Sequence, residues 1–390
     1  MTTDSLKLKA EPGSRLLFID NLRIGLITLV ILHHVAVVYG AVAPFYYVEP
    51  PMTDPLAFLI LLVFALVNQS WFMGAFFLLS GYFTPESYDR KELGSFVNDR
   101  LFRLGIPLLL FVFVLSPVSS IGFWQMPPEL TGITNPLTWQ AYPELIGIGP
   151  LWFVALLLIF DFGYAAWRML TRNRTPKPVS ESSLPGYLLI AGFILVLALV
   201  SYLLRMVIPI GKDILGFPTL AYLPQYLSLF VLGIVAARRN WFRNLSGSKG
   251  IIAFAAALVV GVFLFPLAFS GSLFSLEITP ALTNFTGNGQ WQSAVYALWD
   301  SAFAVGMCLG LITLFRRVFN GQGRFGRCLS QHSYAVYVIH IPIVVFVAIA
   351  LQGIMIAPLL KFVIAAVIAV PVSFAIAWIV RKIPFVSRIL

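Results

Sequence analysis

Ten apolar stretches, each about as long as a helix must be to cross the hydrocarbon of a bilayer, dominate this chain of 390 residues. They lie near residues 20–40, 56–82, 101–121, 149–170, 186–207, 217–237, 250–270, 291–316, 329–351 and 357–381. The composition agrees: 59% of residues are hydrophobic, 11% are charged, and the mean hydropathy is +0.90. The fold class that follows is all-α. We expect a polytopic integral membrane protein, a single transmembrane domain over residues 1–390 with residues 1–17 as a tail. The polar N-terminus has no signal-peptide apolar core, and no small-residue cleavage site follows the first stretch, so that stretch is expected to stay as a helix. The sixth stretch is interrupted by Pro218 and Pro224, which membrane helices tolerate when neighbours satisfy the freed carbonyls. No internal repeat, glycine-rich phosphate loop or soluble domain is visible, and the RNRTPKPVSESS segment reads as a flexible linker.

The net charge of +10 is distributed as a topology signal rather than as a nucleic-acid footprint. The N-terminal tail, every second connection and the C-terminal tail each carry three or four basic residues, 22 of the 26 in the chain. Arg205, Lys212 and Lys361 fall on the other side, and Arg23 lies within the first stretch. The positive-inside rule then places both termini in the cytoplasm. Cys308, in an apolar run, and Cys328, in a basic connection, give neither a disulfide framework nor metal-ligand spacing.

Chemistry concentrates in the first stretch, RLLFIDNLRIGLITLVILHHVAVVYG. Eleven residues separate Arg23 from His34, so on a helix they differ by about 20° and share one face, roughly 16 Å apart along the axis. An arginine near one surface and an imidazole near the midplane thus line one stripe, with Asp20 a turn before Arg23. Ionisable groups at that depth are costly and mark function; the plainer alternative is a packing histidine and a snorkelling arginine. His33 points about 100° away.

Other stretches add to this. The second ends FFLLSGYF, where Gly81 beside Ser80 permits close approach of a helix or a ligand. Arg100 and Arg103 stand three apart at the entry to the third, a clamp for phosphate or plain positive-inside charge. Trp152 opens the fourth, and Tyr334, Tyr337 and His340 fall in one sector of the ninth. Asp161 and Asp300 lie in spans and are expected to pair with an arginine or histidine. In the outer connection 122–148, Trp124, Trp139 and Tyr142 stand beside Glu129 and Glu144, suited to sugar rings or to an interfacial aromatic belt.

IDNLR with His34 eleven residues after Arg23, FFLLSGYF, Arg100-x-x-Arg103 before a proline, LWFV, and SYAVYVIHIP follow one another in an order and spacing that resembles the membrane acyltransferase family 3. Within it the resemblance is to the glucan-modifying branch. The likeness spans nearly the whole chain. It implies transfer of an acetyl or succinyl group from cytoplasmic acyl-CoA to a hydroxyl of an extracytoplasmic glycan, without a metal. His34 would be general base with Arg23 and Asp20 in support; Arg100, Arg103, Ser80 and Gly81 would hold the donor; and Trp152, Tyr334, His340 and Trp124 would meet the acceptor. The partners are membrane lipid, acyl-CoA and glycan, with no nucleic acid.

Two other classes compete. A proton-coupled carrier of a sugar or organic anion would also use intramembrane His, Asp and Arg, but carriers usually show repeats. A purely structural partner in an envelope assembly leaves the charged stripe unexplained. Stabilisation by acyl-CoA, and not by sugars or ions alone, separates the enzyme from the carrier. The charge distribution makes a direct prediction: a reporter fused after Leu390 reports cytoplasm and one inserted at Thr134 reports the opposite side. The same side for both would demand an odd number of spans.

Overall fold

The computed structural model describes residues 15–49, 54–171, 183–270 and 283–390. Lys7, Lys9, Arg172, Arg174, Lys177, nearly all of the linker and most of the connection 271–290 lie outside the described residues. Among those described, ten segments are long and apolar enough to cross a membrane. We label the helices α1 (Leu17–Gly40), α2 (Pro55–Gln69), α3 (Phe72–Asp89), α4 (Leu93–Gln125), α5 (Trp152–Leu170), α6 (Tyr187–Val207), α7 (Leu223–Arg238), α8 (Gly247–Ala268), α9 (Trp291–Val318), α10 (Arg324–Ala350) and α11 (Pro358–Val380). Helices α2 and α3 form one span, Pro55–Asp89. The centre of the bundle is α1, α9 and α10, and α1 packs on α2, α9, α10 and α11. Helices α6 and α8 are largely exposed along their length, as suits the lipid-facing rim.

The second and third spans depart from simple rods. At about 1.5 Å per residue α2 and α3 together exceed the roughly 30 Å of hydrocarbon, so the span must bend or tilt. It breaks at Ser70–Trp71, among the polar residues Asn68, Gln69 and Ser70. Helix α7 repairs the break: Gln225 Nε2 donates to the Ser70 carbonyl (2.7 Å) and Gln69 Nε2 to the Tyr226 hydroxyl (3.0 Å). Pro224, expected to interrupt the sixth span, instead occupies the first turn of α7, where a missing N–H costs nothing. Cys328 lies in the opening turns of α10 rather than in a connection.

Helix α4 contains two π-helical turns, Leu101–Gly105 and Phe111–Leu115. Each is followed within two residues by a proline, Pro107 or Pro117. A proline has no N–H for the carbonyl four residues back, which frees Arg103 O and Phe113 O. Both are recaptured by tyrosines from elsewhere. The Tyr334 hydroxyl on α10 donates to Arg103 O (2.8 Å), and the Tyr142 hydroxyl donates to Phe113 O (2.6 Å).

Where α3 crosses α7 the backbones nearly touch. A Cβ on Gly81 would lie 2.0 Å from Phe230 O, and one on Gly233 would lie 2.2 Å from Leu78 O. Small residues replace the missing hydrophobic drive between helices in lipid by letting van der Waals contact and dipoles close up.

The charges inside the bundle are paired. Arg205 on α6 meets Asp300 on α9 at 2.5 Å, both side chains almost wholly enclosed. Arg100 meets Asp161 on α5 at 3.0 Å, and Lys361 on α11 meets Glu49 at 2.5 Å. Thus Asp161 and Asp300 take arginines, as expected, and two of the three basic residues on the sparse side prove to be ion-paired.

The proline–tyrosine arrangement yields a double-mutant test. Replacing Tyr334 by Phe should lower stability in a detergent melt by about 0.6–1.7 kcal/mol, the range for interhelical bonds in membranes. In a Pro107→Ala background the helix supplies its own donor to Arg103 O, so the same replacement should cost little. Equal costs in both backgrounds would show that the bond is not compensating for the proline.

Candidate functional site

The charged stripe on α1 begins at its first turn. Asp20 Oδ1 lies 3.7 Å from the Arg23 guanidinium, and Arg15 Nε reaches Asp20 Oδ2 at 2.5 Å. The Arg23 guanidinium sits 4.7 Å from the ring centroid of Phe83, the residue that ends FFLLSGYF. That face-on contact joins the first two motifs across α1 and α3. Asn21 faces elsewhere: its amide donates to Phe319 O (2.7 Å) and Gly321 O (2.9 Å), pinning the start of α1 to the α9–α10 turn.

Eleven residues on, the two imidazoles diverge. The His33 and His34 ring planes are 87° apart. His33 packs on Phe72 with centroids 5.1 Å apart, and its Nδ1 is buried without a hydrogen-bond partner. His34 turns toward α10. Its Nδ1 is 2.9 Å from Val30 O and 3.2 Å from His340 Nε2, and its ring stacks on Phe45 at 5.3 Å. His340 is completely buried and lies 2.7 Å through Nδ1 from Tyr337 O.

Phe45 belongs to the segment that turns back over the end of α1. Glu49 N donates to Val38 O (3.0 Å), Tyr47 donates to Glu49 Oε2 (3.2 Å), and Lys361 holds the other carboxylate oxygen. Burial, and then the Glu49 carboxylate, push the Tyr47 phenol up from its ordinary value. Neither Phe45 nor Glu49 was among the candidates read from sequence. The signal for Glu49 was Lys361, a basic residue on the sparse side in need of a counter-charge.

The two arginines before Pro107 turn to different partners. Arg100 faces into the bundle toward Asp161, whose other oxygen accepts from Thr84 Oγ1 at 2.9 Å. Arg103 is 60% exposed and pairs with Asp99 at 3.1 Å. Of the other two residues named for the donor, Ser80 is half-buried on α3, while the face of Gly81 is filled by the Phe230 carbonyl, so the close approach there is by a helix.

The remaining residues spread over the depth of the bundle. Trp152 is 7% exposed and stacks on Tyr226 at 5.4 Å. Tyr334 is tied to Arg103 O, and Tyr337 donates to Pro150 O at 2.5 Å. Trp124 is half-buried and donates to Asn135 O at 3.0 Å, bracing the long connection in which Trp139 is 81% exposed.

The match of an acyltransferase domain over residues 16–378 takes in every helix from α1 into α11. The chain belongs to the acyltransferase 3 family and is a multi-pass membrane acyltransferase. It is similar to glucans biosynthesis protein C of Salmonella typhi and of Salmonella typhimurium, at 22% identity over 87% of this chain and 85% of each relative. The same protein of Salmonella heidelberg is 23% identical over like shares of both chains. No solved structure matches.

The pairing of Arg100 generates a prediction. Removing one partner of a buried ion pair leaves the other charge uncompensated, at a cost of about 3–5 kcal/mol. Arg100→Ala should therefore lower thermal stability markedly, and Arg103→Ala, with Arg103 itself largely exposed, should leave it nearly unchanged. Equal melting temperatures for the two variants would show that the Asp161 pair carries no structural load.

Proposed function

We propose that the protein moves an acetyl or succinyl group from cytoplasmic acyl-CoA to a hydroxyl of a glycan on the far side of a bacterial inner membrane. Three supports combine. Family membership supplies acyl transfer, the lopsided basic charge supplies the sidedness, and the names of the relatives supply the glycan. The observation that carries the mechanism is the orientation of His34. Its Nδ1 is engaged by Val30 O and His340, which leaves Nε2 as the ring atom for the reacting hydroxyl.

On this reading His34 is the general base, a role that typically contributes about 10²–10⁴-fold. Arg23, on the same face of α1 and braced by Asp20 at the basic end, supports the site from where the thioester enters the bundle beside it. Arg103 is the accessible cation for the donor's phosphates; Arg100 and Ser80 join it if the Asp161 pair opens, and Gly81 serves by seating α3 on α7. Trp124 and the exposed Trp139 meet the glycan at the opposite end. Trp152 stands on the way inward, His340 meets His34, and Tyr334, bonded to Arg103 O, lies nearer the donor end. Enclosure by the helices keeps water from the thioester.

His34→Gln preserves size and polarity but cannot take up a proton at neutral pH. It should lower acyl transfer by at least about 10²-fold while an acyl-CoA-induced rise in melting temperature survives. His33→Gln should keep activity, since that ring faces Phe72. Parent-level activity in His34→Gln sinks the general-base role. Arg103→Ala should weaken the acyl-CoA effect, and Arg103→Lys should restore it in part, a point charge lacking the guanidinium fork. Undiminished stabilisation in Arg103→Ala would remove Arg103 from the donor site.

A further inference from the structure

His340 is fully enclosed, sits 306 residues from His34 in sequence, and is one of four histidines in the chain. The proton positions of the pair follow from their neighbours. A ring nitrogen 2.9 Å from a carbonyl oxygen must carry the hydrogen between them, so His34 Nδ1 is protonated against Val30 O. His340 Nδ1, 2.7 Å from Tyr337 O, is protonated for the same reason. A neutral His340 then has only a lone pair on Nε2. That lone pair stands 3.2 Å from His34 Nδ1, where it accepts a share of the same hydrogen. The two acceptors differ in kind. Val30 O belongs to the helix of His34 itself, one turn back, whereas His340 belongs to α10 and ties the ring to another helix. His340 is in turn held by the Tyr337 carbonyl, and the Tyr337 hydroxyl is fixed on Pro150 O at 2.5 Å. Phe45, stacked on the His34 ring, fixes its plane.

We infer that His340 is a positioning residue for His34, accepting its Nδ1–H so that Nε2 faces the reacting hydroxyl unprotonated and the imidazolium that forms has a neutral acceptor. The inference rests on the acyl-transfer reading above. As the acceptor oxygen bonds to the thioester carbon, its O–H breaks and the proton passes to His34 Nε2. When the C–S bond breaks, that proton leaves Nε2 for the departing sulfur. His34 Nδ1 keeps its own proton throughout. The bond to His340 therefore changes from neutral to charge-assisted during the reaction, when such a bond is at its strongest. It assists the transition state more than the bound donor, and its loss should show in kcat rather than in donor binding.

The test compares replacements at one position in the full-length protein. His340→Gln keeps an acceptor oxygen; His340→Phe and His340→Met keep apolar bulk and lose the acceptor. The Phe and Met variants should lower kcat by about 10–100-fold, with the KM for acyl-CoA and the acyl-CoA-induced rise in melting temperature unchanged. The Gln variant should recover most of that loss. A packing role would instead lower the melting temperature while leaving kcat per folded molecule intact. Parent-level kcat in whichever apolar variant folds, or no recovery with Gln, overturns the inference. Active His34→Gln would bring down the general-base reading itself. Inactive His34→Gln together with a fully active apolar variant at His340 would bring down this inference alone.

Discussion

No water enters the hydrocarbon core to share a charge, so every ionised group placed there must find its counter-charge within the protein. Three largely buried pairs stitch this bundle. Arg205–Asp300 joins α6 to α9, Arg100–Asp161 joins α4 to α5, and Lys361–Glu49 joins α11 to the segment following α1. Separating any of them leaves a bare charge at a cost of about 3–5 kcal/mol, a large fraction of the stability of a folded protein. Arrangements of the helices that part these residues are disfavoured accordingly.

Backbone groups obey the same rule on a finer scale. Pro107 and Pro117 follow the π turns of α4, and the orphaned carbonyls are met by Tyr334 and Tyr142. The Ser70 break is met by Gln225. Each irregularity is thus also a tether. Helix α10 shows the effect most fully: Tyr334 reaches Arg103 O, Tyr337 reaches Pro150 O, and His340 reaches His34. Three residues on one sector connect α10 to α4, to the start of α5 and to α1. The structural frame and the candidate catalytic centre are built from the same contacts, so the imidazole is held by rigid helices rather than by a loop.

The two ends of the stripe on α1 are treated differently. At the basic end Asp20 is shared by Arg15 and Arg23, and Arg23 rests on Phe83, which leaves a guanidinium oriented but not consumed by a single partner. At mid-span His34 lies between Phe45 and His340. A cation at one level and an oriented base deeper in the bundle is an arrangement suited to a thioester entering from one side and a hydroxyl from the other.

The sequence by itself determined the class, the number of spans, the stripe from Arg23 to His34 and the divergence of His33. Hydropathy and the 100° turn are properties of one helix and need no knowledge of its neighbours. Short-range rules also exposed residues in need of partners, Asp161 and Asp300. Who those partners are was decided only by tertiary structure, because helix crossing brings together side chains hundreds of positions apart. Arg100 and Arg103 share a helix entry, yet one turns inward to Asp161 and the other outward to Asp99, a choice made by the neighbouring α5. Gly81 was open to a helix or a ligand until α7 filled its face. His340 gained its place opposite His34 from the packing of α1 on α10, which no periodicity within either helix encodes.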